Sequence, residues 1–179
     1  AKVAFVGPFV EEREIIGNWS KKAHMEDTVT VKEGVERLLK RAVPSAGGCS
    51  WKLFYTDESG FEEAEKVCED ADFIVACVGE YMLNSGEAHS RADIRIPEIQ
   101  RKLIARLYKP GKPLALVVFG GRPLALSDVA EFVDAILYVW QPGTEGGNAI
   151  ANLIYGKANP CGKTDSLKIG FPSPYGDNF

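Results

Sequence analysis

Short, continuously apolar runs alternate along this chain with segments of helical periodicity. The clearest runs are at residues 2–6, 72–78, 113–119 and 135–140. A strand that is buried on both faces is apolar throughout, and strands separated by helices pair in parallel. The alternation therefore predicts an α/β fold, a three-layer αβα sandwich with a mostly parallel sheet and a flavodoxin-like general architecture.

The segments between these runs have the spacing of amphipathic helices. In the first of them, Val31, Val35, Leu38 and Leu39 recur at helical intervals, and the pattern ends before Pro44. Two further short runs are interpreted as strands. We predict helices through Val31–Leu39 and at 61–70, 97–108, 127–133 (with Ser127 as N-cap) and 147–155, and the two additional strands at 51–55 and 166–171.

Length and charge limit the kind of protein this is. The 179 residues are expected to form one domain, 1–179, and the formal net charge of −4 gives no general attraction to nucleic acid or to an anionic membrane. No apolar run approaches the roughly 18 to 20 residues that a membrane helix needs. We therefore expect neither nucleic acid nor a membrane as a partner.

The cysteines and the start of the chain say little about chemistry. The four cysteines form no CxxC pair and there are two histidines, so we expect reduced, buried thiols and no metal site. No positively charged leader precedes the first strand, so no signal peptide is expected. The compartment stays open: the cytoplasm is favoured, and secretion or a periplasmic location is the alternative.

Ligands of open α/β sheets bind at the carboxyl ends of the strands. The loops to inspect there are 7–22, 79–96, 120–126 and 141–148. None contains a phosphate-binding glycine motif or a Gly-x-Ser-x-Gly elbow, so we expect no nucleotide, no other cofactor and no serine hydrolase triad.

The loop at 79–97 is long for a connection between a strand and a helix, which usually takes about 2 to 6 residues. It contains Glu80, Glu87 and Asp93 beside Arg91 and Arg95. Long loops of this kind are often functional, but such a mixture of charges is also typical of a solvated surface loop. The pattern alone leaves both interpretations open.

A series of motifs follows in order along nearly the whole chain. They are Val-Ala-Phe-Val-Gly-Pro at 3–8, Gly-Asn-Trp-Ser at 17–20, Gly-Glu at 79–80, Ser-Gly-Glu-Ala-His-Ser-Arg at 85–91, Ile-Pro at 96–97 with Gln100, Gly-Lys-Pro at 111–113, Gly-Arg-Pro-Leu at 121–124, Trp-Gln-Pro-Gly-Thr-Glu-Gly-Gly at 140–147, Gly156, and Asn-Pro-Cys-Gly-Lys at 159–163. This order resembles the C-terminal α/β sandwich domain of family 3 glycoside hydrolases, the β-glucosidase family.

The resemblance implies part of an enzyme. In that family an N-terminal TIM-barrel domain carries an aspartate nucleophile, and in many members the long loop of the second domain carries the acid/base glutamate. By position this is Glu87, with Glu80 as the alternative. A barrel needs roughly 200 to 250 residues and is absent from this chain, which alone is expected to be inactive. The implied substrate is a β-linked glucoside or oligosaccharide, hydrolysed with retention together with the barrel of the same polypeptide.

Other residues receive supporting roles from the same resemblance. Trp19 is either a platform on which a sugar ring stacks or a residue that packs between domains, because one large apolar face serves both. Glu80, Arg91 and Arg122 are expected to support the loop. A non-catalytic carbohydrate-binding or interaction module of the same fold is the alternative function, and assembly with further copies of the chain is left open. Asn18 also begins an N-glycosylation sequon, Asn-Trp-Ser.

Overall fold

Five parallel strands form the centre of the computed structural model, which describes residues 1–20 and 24–162. Every neighbouring pair of strands is parallel, and their spatial order is β2-β1-β3-β4-β5. This is the flavodoxin-like strand order. The strands are β1 (Val3–Val6), β2 (Ser45–Ala46), β3 (Phe73–Gly79), β4 (Leu114–Phe119) and β5 (Ala135–Trp140).

Helices cover both faces of the sheet and confirm the predicted three-layer sandwich. One face packs against α1 (Val31–Leu39) and α4 (Gly146–Ile154), and the other against α2 (Phe61–Glu69) and α3 (Glu98–Leu107). The side chains of β3 alternate between the two layers: Ile74 and Val78 join the core under α2 and α3, whereas Val75 joins the core under α1 and α4. This double burial explains why the strand sequence is apolar at every position.

The sequence around α1 specifies where that helix begins and what it packs on. Thr30 accepts a hydrogen bond from the Glu33 backbone, and the Glu33 carboxylate accepts one from the Thr30 backbone, which completes a capping box. Further along, α1 approaches α4 so closely that a Cβ on Gly34 would overlap the Gly147 carbonyl. Glycine at position 34 thus permits the contact between these two helices.

The predicted strand at 51–55 is wrong. The second strand is the two-residue β2, where Phe5 pairs with Ser45 and Val6 with Ala46. The aromatic side chains that suggested a strand have other partners or none: Trp51 stacks on Tyr81 with ring centroids 4.0 Å apart, and Phe54 is 95% exposed.

The predicted helix at 127–133 is also wrong, and Ser127 caps no helix. Only a single turn of 3-10 helix, Ala130–Phe132, forms there. Seven residues offer few helical hydrogen bonds, and Asp128 is held instead by Arg101 of α3, with Nη1 and Oδ2 2.8 Å apart.

The other predicted elements are confirmed, with ends shifted by one or two residues. The strand predicted at 166–171 lies outside the described residues. Within residues 1–20 and 24–162, no helix is long and apolar enough to cross a membrane.

Candidate functional site

The carboxyl ends of β1 and β3 lie side by side, and the chain leaves them toward opposite faces of the sheet. After β1 it continues to α1, and after β3 it continues to α3 on the other face. Such a reversal opens a crevice at the carboxyl ends of these two strands, and ligands of doubly wound folds bind there. The loop that carries Trp19 and the loop that carries Glu80 and Glu87 both start at this point.

Glu80 follows β3 directly and is enclosed. Its side chain is 0% exposed, and its two oxygens face Arg91 Nη1 at 3.4 Å and Arg122 Nε at 3.2 Å. These ion-pair contacts lack hydrogen-bond geometry, so the cluster is held by charge. In this conformation the Glu80 carboxyl has no surface with which to contact a substrate.

Arg122 connects this buried cluster to the backbone of the loop. Its Nη2 donates to the carbonyl oxygens of Asn84 and His89, which lie on either side of Glu87 in the sequence. The carbonyl oxygen of Arg122 itself accepts a hydrogen bond of 2.6 Å from the Tyr138 hydroxyl. The structure therefore brings together Glu80, Arg91 and Arg122, and it fixes the loop on both sides of its tip.

Glu87 is exposed at that tip. The residues beside it, Gly86 and Ala88, have φ values of 123° and 63°, in the region that glycine tolerates best. A Cβ on Gly86 would lie 2.6 Å from Asn18 Nδ2 and 3.8 Å from the ring carbon Cζ2 of Trp19. Trp19, 61% exposed, therefore lies next to the loop segment that carries Glu87.

Ser85 is the residue at which the four strand-end loops meet. Its carbonyl accepts a hydrogen bond from Asn18 Nδ2 at 3.1 Å, and its hydroxyl lies 3.5 Å from Gln141 Nε2. A Cβ on Gly121 would overlap the same hydroxyl. We refer to these residues, Asn18, Ser85, Gly121 and Gln141, as the Ser85 junction.

Sequence reasoning did not find the Ser85 junction. The four loops that converge there were predicted, but Ser85, Gln141 and Asn18 entered only as members of sequence motifs, Asn18 also as the start of a glycosylation sequon, and none was given a structural role. The Asn18 amide nitrogen, to which a glycan would be joined, instead contacts the Ser85 carbonyl and packs beside Gly86. The small residues Gly17, Gly86 and Gly121 were the available signal, because each accommodates a neighbouring loop.

Three ionisable side chains around the loop have pKa values shifted away from their ordinary range. Burial raises the pKa of Tyr138, and burial together with a hydrogen bond to Glu14 raises the pKa of Tyr81 to about 12. The Arg95 guanidinium, which contacts both carboxylate oxygens of Asp93, lowers the pKa of that carboxyl. In residues 1–20 and 24–162, no group of three or more His, Cys, Asp or Glu side chains is placed to hold a metal ion.

Comparison with known proteins gives consistent matches. The family model described as glycosyl hydrolase family 3 C-terminal domain matches residues 1–170. The chain is 38% identical to a periplasmic beta-glucosidase of Salmonella typhimurium over 97% of its own length, and 35% identical to a beta-xylosidase of Formosa agariphila over 83%. It spans 25% and 20% of the length of these two relatives.

The fold has matching solved structures as well. The crystal structure of a beta-glucosidase from Listeria innocua superposes with a TM-score of 0.81 at 34% identity, covering 89% of this chain and 22% of that one.

Proposed function

The chain belongs to glycosyl hydrolase family 3, in which it corresponds to the C-terminal domain, and from this membership we propose that it supplies the acid/base residue of a retaining β-glycosidase. The enzyme is a β-glucosidase or a related exo-acting β-glycosidase, and the residue is Glu87. The observation that carries the proposal is the position of Glu87. It is an exposed carboxyl on a loop fixed at both sides, at the crevice between β1 and β3.

The chemistry requires a partner. Retaining hydrolysis uses two carboxyl groups about 5 to 5.5 Å apart, one as nucleophile and one as acid/base. We assign the nucleophile to an aspartate of a barrel domain in the same polypeptide. The relatives are four to five times longer than the matched region, which leaves room for such a domain in them.

Two steps then complete the reaction. The aspartate oxygen attacks the anomeric carbon, the bond to the leaving oxygen breaks with its electron pair, and the Glu87 carboxyl gives its proton to that oxygen. Next the Glu87 carboxylate takes a proton from water, whose oxygen attacks the anomeric carbon as the bond to aspartate breaks. Glu87 ends protonated and the aspartate ends free, as at the start.

The remaining residues position these groups. Trp19, exposed beside the Glu87 loop, offers an apolar face on which the sugar of the leaving group stacks. Glu80, Arg91 and Arg122 support the loop from below, and the buried state of Glu80 favours Glu87 over it as the acid/base.

The test is Glu87→Ala in the full-length polypeptide. We expect kcat/KM for an alkyl glucoside, whose leaving group needs a proton, to fall by about 10²- to 10⁴-fold, and that for a dinitrophenyl glucoside to change little. The kcat for the dinitrophenyl glucoside should fall, because water then lacks its general base in the second step. Azide, which attacks without giving up a proton, should restore that kcat and yield the β-glycosyl azide. Glu98→Ala, at an exposed glutamate of α3, is the matched control and should retain full activity.

Equal loss on both substrates, or no loss, would remove Glu87 from this role. The alternative, a carbohydrate-binding or interaction module, would then be favoured by sugar-dependent quenching of tryptophan fluorescence in the isolated chain that Trp19→Ala abolishes.

A further inference from the structure

We propose that Asn18 is a positioning residue for proton transfer by Glu87. It joins the loop that carries Trp19 to the loop that carries Glu87, so that the surface for the leaving group and the proton donor keep a fixed geometry. This inference rests on the proposed function of Glu87.

The first observation is the hydrogen bond between the two loops. Asn18 Nδ2 donates to the Ser85 carbonyl at 3.1 Å, across 67 residues of sequence. Ser85 is 4% exposed, so its backbone is largely shielded from water. Loss of the donor would remove this hydrogen bond from a carbonyl two residues before Glu87.

The second observation is the lack of free space around Asn18. Asn18 lies between Trp19, the next residue in sequence, and Gly86. A Cβ on Gly86 would come within 2.6 Å of the Asn18 amide nitrogen. Any side chain at position 86 would therefore displace Asn18. The loop adopts a φ of 123° there, which suits glycine and keeps this approach open.

The third observation is that both partners are themselves held. The Ser20 backbone donates to the Gly17 carbonyl at 3.2 Å, and its hydroxyl donates to the Ile16 carbonyl at 2.9 Å, which closes the turn containing Asn18. Ser85 is confined on its other side by Gly121 and Gln141. The Asn18–Ser85 hydrogen bond thus joins the two loops directly beside Trp19 and Glu87.

A small displacement of Glu87 is costly only where its proton is needed. An error of about 1 Å in the placement of a reacting group can cost about 100-fold in rate. For substrates whose leaving group departs without a proton, kcat/KM does not depend on the placement of Glu87. A positioning role therefore predicts a loss that depends on the leaving group.

The experiment uses the full-length enzyme with Asn18→Ala and with Asn18→Asp, which keeps the size of the side chain and removes the N–H donor. We expect kcat/KM for the alkyl glucoside to fall about tenfold or more, and that for the dinitrophenyl glucoside to stay within about twofold. Asn152→Ala, in α4 and outside the four loops, is the matched control. An equal loss on both substrates, or none in either variant, would overturn the inference.

A double variant separates positioning from general damage. If Asn18 acts through Glu87, adding Asn18→Ala to Glu87→Ala should cause no further loss on the alkyl glucoside, whereas independent effects would multiply. Multiplication would overturn the positioning role. If Glu87→Ala itself shows no dependence on the leaving group, the proposed function fails first; if it does and Asn18→Ala does not, only the present inference fails.

Discussion

Two glutamates seven residues apart in the same loop have opposite environments. Glu80 has no exposed surface and faces two arginines, whereas Glu87 is exposed. In the sequence both are acids of one long loop, and the charge pattern alone does not distinguish them; the family resemblance implied Glu87, with Glu80 as the alternative. Tertiary structure therefore buries Glu80 among the arginines that hold the loop and leaves the Glu87 carboxyl accessible from solvent.

We expect Glu80→Gln to lower the free energy of unfolding by about 3 to 5 kcal/mol, because the change leaves the charges of Arg91 and Arg122 without their buried counterion. Urea unfolding measures this. Glu87→Gln is the same chemical change at an exposed position and should stay within about 0.5 kcal/mol. A loss for Glu80→Gln as small as that for Glu87→Gln would mean that the cluster of Glu80, Arg91 and Arg122 does not stabilise the fold.

At the scale of elements, the close approach of α1 and α4 is set by two glycines. A Cβ on Gly34 would overlap the Gly147 carbonyl, and one on Gly147 would overlap the Thr30 carbonyl. Helix propensity alone favours alanine over glycine inside a helix by about 1 kcal/mol. For Gly34→Ala, packing therefore predicts a lower free energy of unfolding, whereas helix propensity predicts a higher one.

We expect packing to prevail, so that Gly34→Ala lowers the free energy of unfolding by about 1 to 3 kcal/mol. Gly47→Ala is the control, since nothing lies within 4 Å of a Cβ there. That variant should be neutral or slightly stabilising. Chemical denaturation of both variants against the parent provides the measurement, and a more stable Gly34→Ala would mean that α1 can shift at little cost.

The elements that could be predicted from the sequence are those long enough to show a recognisable pattern. β3 and β4 are apolar at six or more successive positions, but the two residues of β2 are too few to show any pattern. Trp51 looked like part of a strand because aromatic residues favour strands, and its stacking on Tyr81 depends on a contact between distant loops. The contacts of Ser85 could not be predicted for the same reason, because its partners are separated from it by 36 to 67 residues of sequence.

At the scale of the whole molecule, we expect Cys77 to report on complete unfolding. It lies in the middle of β3 with no exposed surface, and burial raises the pKa of its thiol, so almost no thiolate is present in the folded protein. Cys161, by contrast, is exposed. The two thiols therefore differ in the size of the opening that each needs in order to react.

Iodoacetamide at pH 8 should alkylate Cys161 rapidly and Cys77 only through globally unfolded molecules. Mass spectrometry of labelled peptides over a urea series should give a rate for Cys77 whose urea dependence equals that of equilibrium unfolding. Cys161→Ser should remove the rapid phase and leave the slow one unchanged. Rapid labelling of Cys77 without urea would show that the sheet opens locally.

The meeting of four loops at Ser85 also matters for building chimaeric enzymes. A single loop transplanted from a relative would bring its own spacing to a point where glycines leave no space for a mismatched neighbour. The loops after β1, β3, β4 and β5 thus form one unit, and a chimaera that exchanges any of them should exchange all four together.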